Sequence, residues 1–172
     1  MIPNDMVFFS GNSNRPLAQK ISRYLDIELG EALVGQFSDG ETRVELHSNV
    51  RGREVFILQS TSYPANHFIM EALIMADACR RASAKSITLV SPYFGYARQE
   101  RKSAPRTPIS AKLIADLLQA SGITRILTVE LHTSAIQGFF NIPVDHLFAK
   151  PVFYDYFKNK TLKNLTIVSP DA

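Results

Sequence analysis

Short apolar runs alternate with segments of helical periodicity along most of the chain. The runs typical of buried strands are Val7 to Phe9, "EVFILQS", "SITLV" and "RILTVEL". The segments typical of helices are the stripe Leu17, Ile21 and Leu25, the stretch Phe68 to Ala82, and "ISAKLIADLLQAS" before Gly122. Because parallel strands need crossover helices, this alternation predicts an α/β fold with a mostly parallel sheet flanked by helices.

Turn and cap residues refine this pattern. Asn14 is the expected N-cap of the first helix. The segments "ALVGQF" and "TRVELH" alternate and flank "SDGE", which predicts a β-hairpin excursion near residues 32–47. Near the end, "PVFYDYFKN" opens a helix with proline in its first turn, and "LTIVSPDA" is a further predicted strand.

Composition narrows the class of protein. A chain of 172 residues suggests one domain, or one domain and a piece of another. The net charge of +3 gives no case for a nucleic-acid or membrane partner. The single cysteine, Cys79, sits in an apolar helical run and is expected to be a reduced structural thiol. No apolar stretch approaches a membrane span and no signal peptide is indicated, so a soluble cytoplasmic protein is expected.

The hairpin turn "FSDGE" is the first candidate ligand loop. Phe37 offers a ring for stacking, and Ser38, Asp39 and Glu41 offer a hydroxyl and two carboxylates around the flexible Gly40. These groups suit an adenine, whose amino group can donate to a carboxylate. The alternative is an ordinary Asp-Gly turn with a partly buried phenylalanine.

The stretch "SPYFGYARQERK" follows a predicted buried strand, and ligands of open α/β sheets bind beyond such strand ends. Arg98 can meet phosphate oxygens with both arms of its guanidinium, and Gln99 offers a donor and an acceptor. Arg101, Lys102 and Arg106 add positive potential. This loop is a candidate site for an anionic ligand, and the alternative is a solvated basic loop.

The stretch "TVELHTSAIQGFF" places His132 at a predicted strand end, with Glu130 two residues back on the same face. An imidazole and a carboxylate there could share a divalent cation or a proton, and Asp171, at another strand end, could add an oxygen ligand. Mg²⁺ held by few protein groups would suit a nucleotide triphosphate. The alternative is a half-buried histidine bonded to a backbone carbonyl. The chain has no Walker-type glycine loop.

Seven stretches in order resemble the ribose-phosphate pyrophosphokinase family: "GQFSDGET", "NVRGREVFILQS", "RRASAKSITLVSPYFGYARQERK", "TPISAKLIADLL", "TVELHTSAIQGFF", "IPVDHLFAKP" and "IVSPDA". The resemblance implies a phosphoribosyltransferase-like fold and a cytoplasmic enzyme. Such an enzyme moves the β,γ-diphosphoryl group of ATP to the 1-hydroxyl of ribose 5-phosphate with Mg²⁺. It also implies homohexamers, with phosphate and ADP as effectors.

The resemblance also implies roles for single residues. Those that match the family's ATP-binding positions are Phe37, Ser38, Asp39, Glu41, Arg98 and Gln99. The hairpin residues among them would reach the ATP site of a neighbouring subunit. His132 and Asp171 match Mg²⁺ ligands, with Glu130 as a further ligand. The residues that resemble the effector surface are Arg51, Ser83, Arg101, Lys102 and Arg106.

Two departures from the family qualify these expectations. Glu130 and Glu100 stand where the family usually has Asp, which shifts each carboxylate by one methylene. The family's chains are about twice as long, and their second domain carries the catalytic lysine, here expected beyond residue 172, and the acidic ribose-phosphate loop.

We therefore expect residues 1–150 to form the ATP-side domain and 151–172 to begin a truncated second one. This chain alone is expected to be inactive. The alternative function is a non-catalytic regulatory subunit of such synthetases, and a phosphoribosyltransferase is disfavoured because the acidic loop is missing.

Overall fold

The computed structural model describes residues 5–160 together with Thr166 and Val168. The strands are β1 (Met6–Ser10), β2 (Ala32–Gln36), β3 (Thr42–Leu46), β4 (Glu54–Leu58), β5 (Ser86–Ser91), β6 (Arg125–Val129) and β7 (Val144–Leu147). The helices are α1 (Arg15–Leu25), α2 (Ala65–Arg81), α3 (Ser110–Ala120) and α4 (Lys150–Lys158), with a 3₁₀ helix at Ser134–Phe139.

Five of these strands form one parallel sheet in the order β1-β4-β5-β6-β7. The predicted α/β fold with a mostly parallel sheet flanked by helices is confirmed. The strands read as nearly continuous apolar runs because both faces of the sheet are covered. Phe9 and Ile57 join the larger core with α2 and α3, whereas Phe8 and Leu58 pack with α1 on the opposite face.

The hairpin predicted near residues 32–47 is confirmed as β2 and β3, which pair antiparallel in a sheet of their own. Val34 is buried and Val44 packs beside it on the larger core. The hairpin thereby lies against α2. At its tip, Gly40 adopts φ 90°, a left-handed conformation that a glycine accepts without steric cost.

The ends of several elements follow from local chemistry. The side chain of Asn14 accepts a hydrogen bond from the Leu17 N–H at 3.1 Å, so the predicted N-cap of α1 is confirmed. Gly122, with φ 111°, follows the end of α3 as expected. Helix α2 begins at Ala65, three residues before the predicted start at Phe68.

In the carboxyl-terminal region, one strand was not predicted, and one predicted strand lies where the structure cannot be compared with the prediction. The edge strand β7 was not predicted, because four residues of mixed polarity give no periodic signal. The predicted strand "LTIVSPDA", with Asp171, lies outside the described residues. Helix α4 is present, but none of its residues is buried, and Val152, Phe153 and Tyr154 are all at least 60% exposed. None of the helices in the described part of the chain could span a lipid bilayer.

Candidate nucleotide-binding site

The parallel sheet brings the segments that follow β4, β5 and β6 to one edge. These three strands are direct neighbours, so their carboxyl ends lie side by side. Arg98 lies in the segment after β5 and His132 in the segment after β6. Two of the three candidate loops therefore meet at the edge where ligands of open α/β sheets bind.

Buried groups anchor the segment after β5. Phe94 is buried and meets the ring of Phe140 edge-on, with centroids 5.8 Å apart. Gly95 donates its N–H to Oγ1 of Thr61 at 2.6 Å. A Cβ on Gly95 would lie 2.3 Å from the carbonyl oxygen of Thr61, so only glycine fits there. The apolar members of "SPYFGYARQ" thus hold the loop against the strand ends.

The polar members of the same loop face outward. Tyr96 adopts φ 63° and its hydroxyl donates to Asn66 at 2.5 Å, which fixes the backbone just before Arg98. Gln99 is held by its N–H to the Tyr96 carbonyl and by the Ser110 hydroxyl, which donates to its side-chain oxygen. An open recess of about 260 Å³ is lined by Ala65, Tyr93, Tyr96, Ala97, Arg98 and Gln99. Arg98 is exposed at this recess and, within the described residues, its guanidinium has no hydrogen bond or ion pair.

The segment after β6 corrects one prediction. Glu130 and His132 were expected on one face of a strand, but β6 ends at Val129 and Glu130 adopts φ 50°. The Glu130 carboxylate turns to accept the backbone N–H of Ala149 at 2.6 Å. The prediction of a shared strand face is therefore wrong, because the left-handed residue ends the alternation of side chains.

His132 is exposed at the carboxyl edge of the sheet. In the described part of the chain its ring has no hydrogen-bond partner. The alternative prediction, a half-buried histidine bonded to a backbone carbonyl, is therefore wrong. Among residues 5–160 no group of three or more His, Cys, Asp or Glu side chains could hold a metal ion. Asp171 lies outside the described residues, so its part in a metal site stays a prediction.

The hairpin tip presents its polar groups to solvent. The ring of Phe37 is 51% exposed, and the guanidinium carbon of Arg43 lies 5.7 Å from its centroid. Asp39 accepts the N–H of Glu41 at 3.1 Å, and Ser38 is exposed beside it. Among the described residues, no hydrogen bond or ion pair joins this tip to Arg98, Gln99 or His132. One chain therefore does not assemble the predicted ATP-binding residues by direct contact.

The predicted effector residues lie at two opposite edges of the sheet. Arg51 and Ser83 precede β4 and β5, and the two turns are joined by the Gly52 N–H, which donates to the Ser83 carbonyl at 2.8 Å. The residues at the carboxyl edge, in the loop between β5 and α3, are Arg101, Lys102 and Arg106. A single chain does not bring these two groups together.

Four described groups away from these loops have shifted pKa values: Asp77, Cys79, Arg81 and Lys85. Burial raises the pKa of the Cys79 thiol to about 12, which fits the reduced structural thiol that the sequence indicates. Hydrogen bonds from Arg81 and then Arg80 lower the pKa of Asp77. A hydrogen bond to Glu54 raises the pKa of Lys85. None of these groups lies at the carboxyl edge.

Sequence reasoning missed a polar cluster beside the hairpin. Its members are Asn12 after β1, Gln59 after β4, and His67 and Glu71 in α2. A signal was available for Asn12 and Gln59, since polar residues directly after parallel strands tend to face the ligand edge. Glu71 gave no signal, because it stands in an otherwise apolar helical run.

The fold is that of an α/β protein with a parallel sheet, and these loops lie at its carboxyl edge, where such proteins commonly bind ligands. Residues 6–122 match the family model of the N-terminal domain of ribose phosphate pyrophosphokinase. The chain therefore belongs to the ribose-phosphate pyrophosphokinase family, as the sequence resemblance predicts.

Individual relatives agree with this assignment. The ribose-phosphate pyrophosphokinases of Brucella melitensis and Corynebacterium ammoniagenes are 58% and 52% identical to this chain over 168 residues. Those residues are 97% and 98% of this chain but only 54% and 53% of the relatives. The crystal structure of phosphoribosylpyrophosphate synthetase from Mycobacterium smegmatis is similar with a TM-score of 0.86 and 43% identity, over 89% of this chain and 51% of that one. The chain thus spans about half the length of the curated relatives that it matches.

Proposed function

We propose that the protein to which this chain contributes is a ribose-phosphate diphosphokinase. In that reaction the 1-oxygen of ribose 5-phosphate attacks the β-phosphorus of ATP and loses its proton. The bond from the β-phosphorus to the oxygen that bridges it to the α-phosphorus breaks, and AMP leaves with that oxygen. The observation that supports this proposal is a pair of exposed side chains, Arg98 and His132, on neighbouring loops at the carboxyl edge; neither has a partner among the described residues.

This chain supplies the ATP side of the reaction in our proposal. Arg98 binds phosphate oxygens through its planar guanidinium, and the buried anchors of its loop hold it in place beforehand. Gln99, already oriented by Ser110, keeps its amide N–H groups for the nucleotide. Positioning and charge neutralisation are the main demands of phosphoryl transfer, so a rigid loop of this kind fits the chemistry.

We further propose that a second copy of the chain completes the ATP site. Phe37 stacks on the adenine, and Asp39 and Glu41 accept hydrogen bonds from its amino group, with Ser38 beside them. The exposed ring of Phe37 and the absence, among described residues, of any contact from the tip to Arg98 support this arrangement. A homo-oligomer would bring the hairpin tip of a neighbouring copy to the phosphate-binding loops. The resemblance to the family implies that this oligomer is a hexamer.

The residues present fit a magnesium ion that is held mostly by the phosphates of ATP. His132 would give one nitrogen, and Asp171, outside the described residues, would give oxygen, which is the ligand that Mg²⁺ prefers. Glu130 fits less well than predicted, because its carboxylate already accepts the N–H of Ala149. When bound, the ion neutralises phosphate charge and orients the chain of phosphates.

The remaining functions are assigned to other parts of the protein or to several copies. Since the chain spans about half of its relatives, we propose that the ribose 5-phosphate loop and the catalytic lysine belong to the rest of the protein. Residues 1–150 then form the ATP-side domain and 151–172 begin the next one. Phosphate and ADP bind as effectors at a surface built from Arg51, Ser83, Arg101, Lys102 and Arg106, which takes two copies because these residues lie at opposite edges. The protein works in the cytoplasm.

The experiment that tests this division measures Mg·ATP binding and AMP formation by the purified chain, with and without ribose 5-phosphate. We expect Mg·ATP to bind and no AMP to form. Ribose-dependent AMP would refute the assignment of the ribose side to other residues. No binding of Mg·ATP at concentrations where the chain self-associates would refute the ATP side.

The engaged carboxylate of Glu130 favours one alternative, a non-catalytic subunit that assembles with active synthetases and tunes them. Such a subunit could dispense with a metal ligand at this position. One experiment distinguishes the two functions, in which the chain is added to an active synthetase and its own binding of Mg·ATP is also measured. A regulatory subunit is expected to change the activity of the synthetase although it does not bind Mg·ATP itself.

A further inference from the structure

A fully buried carboxylate lies at the centre of the polar cluster beside the hairpin. Glu71, in the interior of α2, is 0% exposed and accepts three hydrogen bonds. Asn12 donates its backbone N–H at 3.2 Å and its side-chain N–H at 2.7 Å, and Gln59 donates at 2.6 Å. Nε2 of His67, one helical turn away, lies 3.1 Å from Oε1 of the same carboxylate. A buried carboxylate is tolerated when it is satisfied in this way.

The cluster reaches the hairpin at two points. The side-chain N–H of Asn12 also donates to the carbonyl oxygen of Val34 in β2 at 3.1 Å. Nδ1 of His67 lies 3.3 Å from the side-chain nitrogen of Gln36, the last residue of β2. The neutral tautomer that suits both contacts has its proton on Nε2, which faces the Glu71 carboxylate, and accepts from Gln36 at Nδ1. The imidazole therefore bridges the buried carboxylate and the end of the strand.

The position of Gln36 gives this bridge a consequence. Gln36 directly precedes Phe37, whose N–H donates to the Glu41 carbonyl and closes the turn. Glu71 is held from the β1 and β4 ends by Asn12 and Gln59, so it is fixed relative to the main sheet. A contact from Glu71 through His67 to Gln36 thus sets where the hairpin tip stands relative to that sheet.

We propose that His67 is a positioning residue for the adenine-binding tip, acting as the bridge from Glu71 to Gln36. The inference rests on the proposed function, because the tip is assigned to adenine there. It adds a residue of α2 that is not among those assigned above to nucleotide or metal. A geometry held in advance reduces the ordering cost of binding, so the bridge raises the affinity of the tip for its ligand.

The primary test is hydrogen–deuterium exchange of His67→Ala in the absence of any nucleotide. We expect the amides of residues 36–41 to exchange several-fold faster than in wild type, with the amides of β4, β5 and β6 unchanged. The matched control is His47→Ala, which removes an exposed histidine that pairs with Glu45 on the same hairpin. Unchanged exchange at the tip, or equal acceleration throughout the sheet, would overturn the proposal.

A double-mutant cycle tests whether the effect runs through Gln36. If His67 acts by its contact with Gln36, the double variant Gln36→Ala/His67→Ala exchanges at the tip no faster than His67→Ala alone. Additive accelerations would mean that the two side chains act independently, and the bridge would be refuted.

A third measurement separates this proposal from the proposed function. In a Mg·ATP titration, His67→Ala is expected to weaken binding while His47→Ala leaves it unchanged. Unchanged affinity in His67→Ala, beside faster exchange at the tip, would refute the positioning role. Failure of the wild-type chain to bind Mg·ATP would refute the proposed function, and the exchange experiment would still decide the bridge.

Discussion

Nε2 of His146 in β7 accepts the backbone N–H of Leu131 at 3.0 Å. Leu131 lies between Glu130 and His132, so this contact ties the edge strand to the segment that carries the candidate metal ligand. Since Nε2 is the acceptor, the neutral ring carries its proton on Nδ1. The histidine thereby fixes a loop that follows the left-handed residue Glu130.

His146→Leu is predicted to destabilise the fold. Leucine removes the acceptor and leaves the N–H of Leu131 without its partner, which costs about 1–3 kcal/mol for a buried donor. The measurement is the free energy of unfolding in denaturant. The control is His47→Leu, an exposed histidine on the hairpin, which is expected to change little. Equal stability of both variants would contradict the role of His146, whereas recovery in His146→Gln would support it.

Gly11→Ala is predicted to disturb the polar cluster around Gln59. A Cβ at this position would lie 2.1 Å from the side-chain oxygen of Gln59, which is fully buried and cannot yield easily. Overpacking of this kind costs about 1–3 kcal/mol. Gly35→Ala in β2 is the matched control, because nothing lies within 4 Å of its new Cβ. The measurement is the midpoint of thermal unfolding, which is expected to be lower for Gly11→Ala than for Gly35→Ala. Equal midpoints of the two variants would contradict the prediction.

Cys79 is predicted to be inert to thiol reagents in the native protein. Its side chain is 0% exposed, and burial raises the pKa of the thiol from 9.0 to about 12. The reactive thiolate is therefore absent at neutral pH. Labelling with a disulfide reagent is expected only on unfolding. Rapid labelling of the folded chain would show that the thiol is accessible.

The same raised pKa predicts a loss of stability at alkaline pH. The folded chain keeps the thiol proton where the unfolded chain releases it, so this contribution is complete below pH 9 and is lost as the pH rises towards 12. The slope approaches about 1.4 kcal/mol per pH unit for one proton. Cys79→Ala is the control, and its stability should fall less steeply over this range. Parallel slopes would contradict the prediction.

Mixing two defective chains is predicted to restore nucleotide binding. Phe37→Ala removes the proposed stacking ring, and Arg98→Ala removes the proposed phosphate ligand. If the site is shared between copies, a mixed assembly contains sites in which both residues are intact. Binding of Mg·ATP by the mixture should then exceed the average of the two variants measured separately. A mixture that only averages them would place both residues in a site of one chain.

Much of the architecture follows from the sequence because both faces of the sheet need apolar residues. The runs around Ile57 and Leu89 are readable as buried strands, and the Asp-Gly turn at Gly40 marks the hairpin. Strand β7 was missed because an edge strand of four residues carries too few apolar positions.

The site was predicted less completely, for physical reasons. Glu130 reads as a continuation of β6, and nothing in the sequence signals its positive φ, since glutamate rarely adopts it. In the sequence, Glu71 is a charged residue within an apolar helical run, and nothing there indicates a role for it. That role depends on Asn12 and Gln59, which are distant along the chain. Such contacts arise only from the tertiary fold.

The central claim, that this chain carries the ATP side of the site, is tested most directly by calorimetric titration with Mg·ATP. The titration compares wild type with Arg98→Ala and with Lys20→Ala, which removes one exposed positive charge from α1 instead. A charged hydrogen bond contributes about 1.5–3 kcal/mol, so we predict that Arg98→Ala binds about ten- to a hundredfold more weakly while Lys20→Ala matches wild type. Equal affinity of all three chains, or no binding by wild type, would contradict the account.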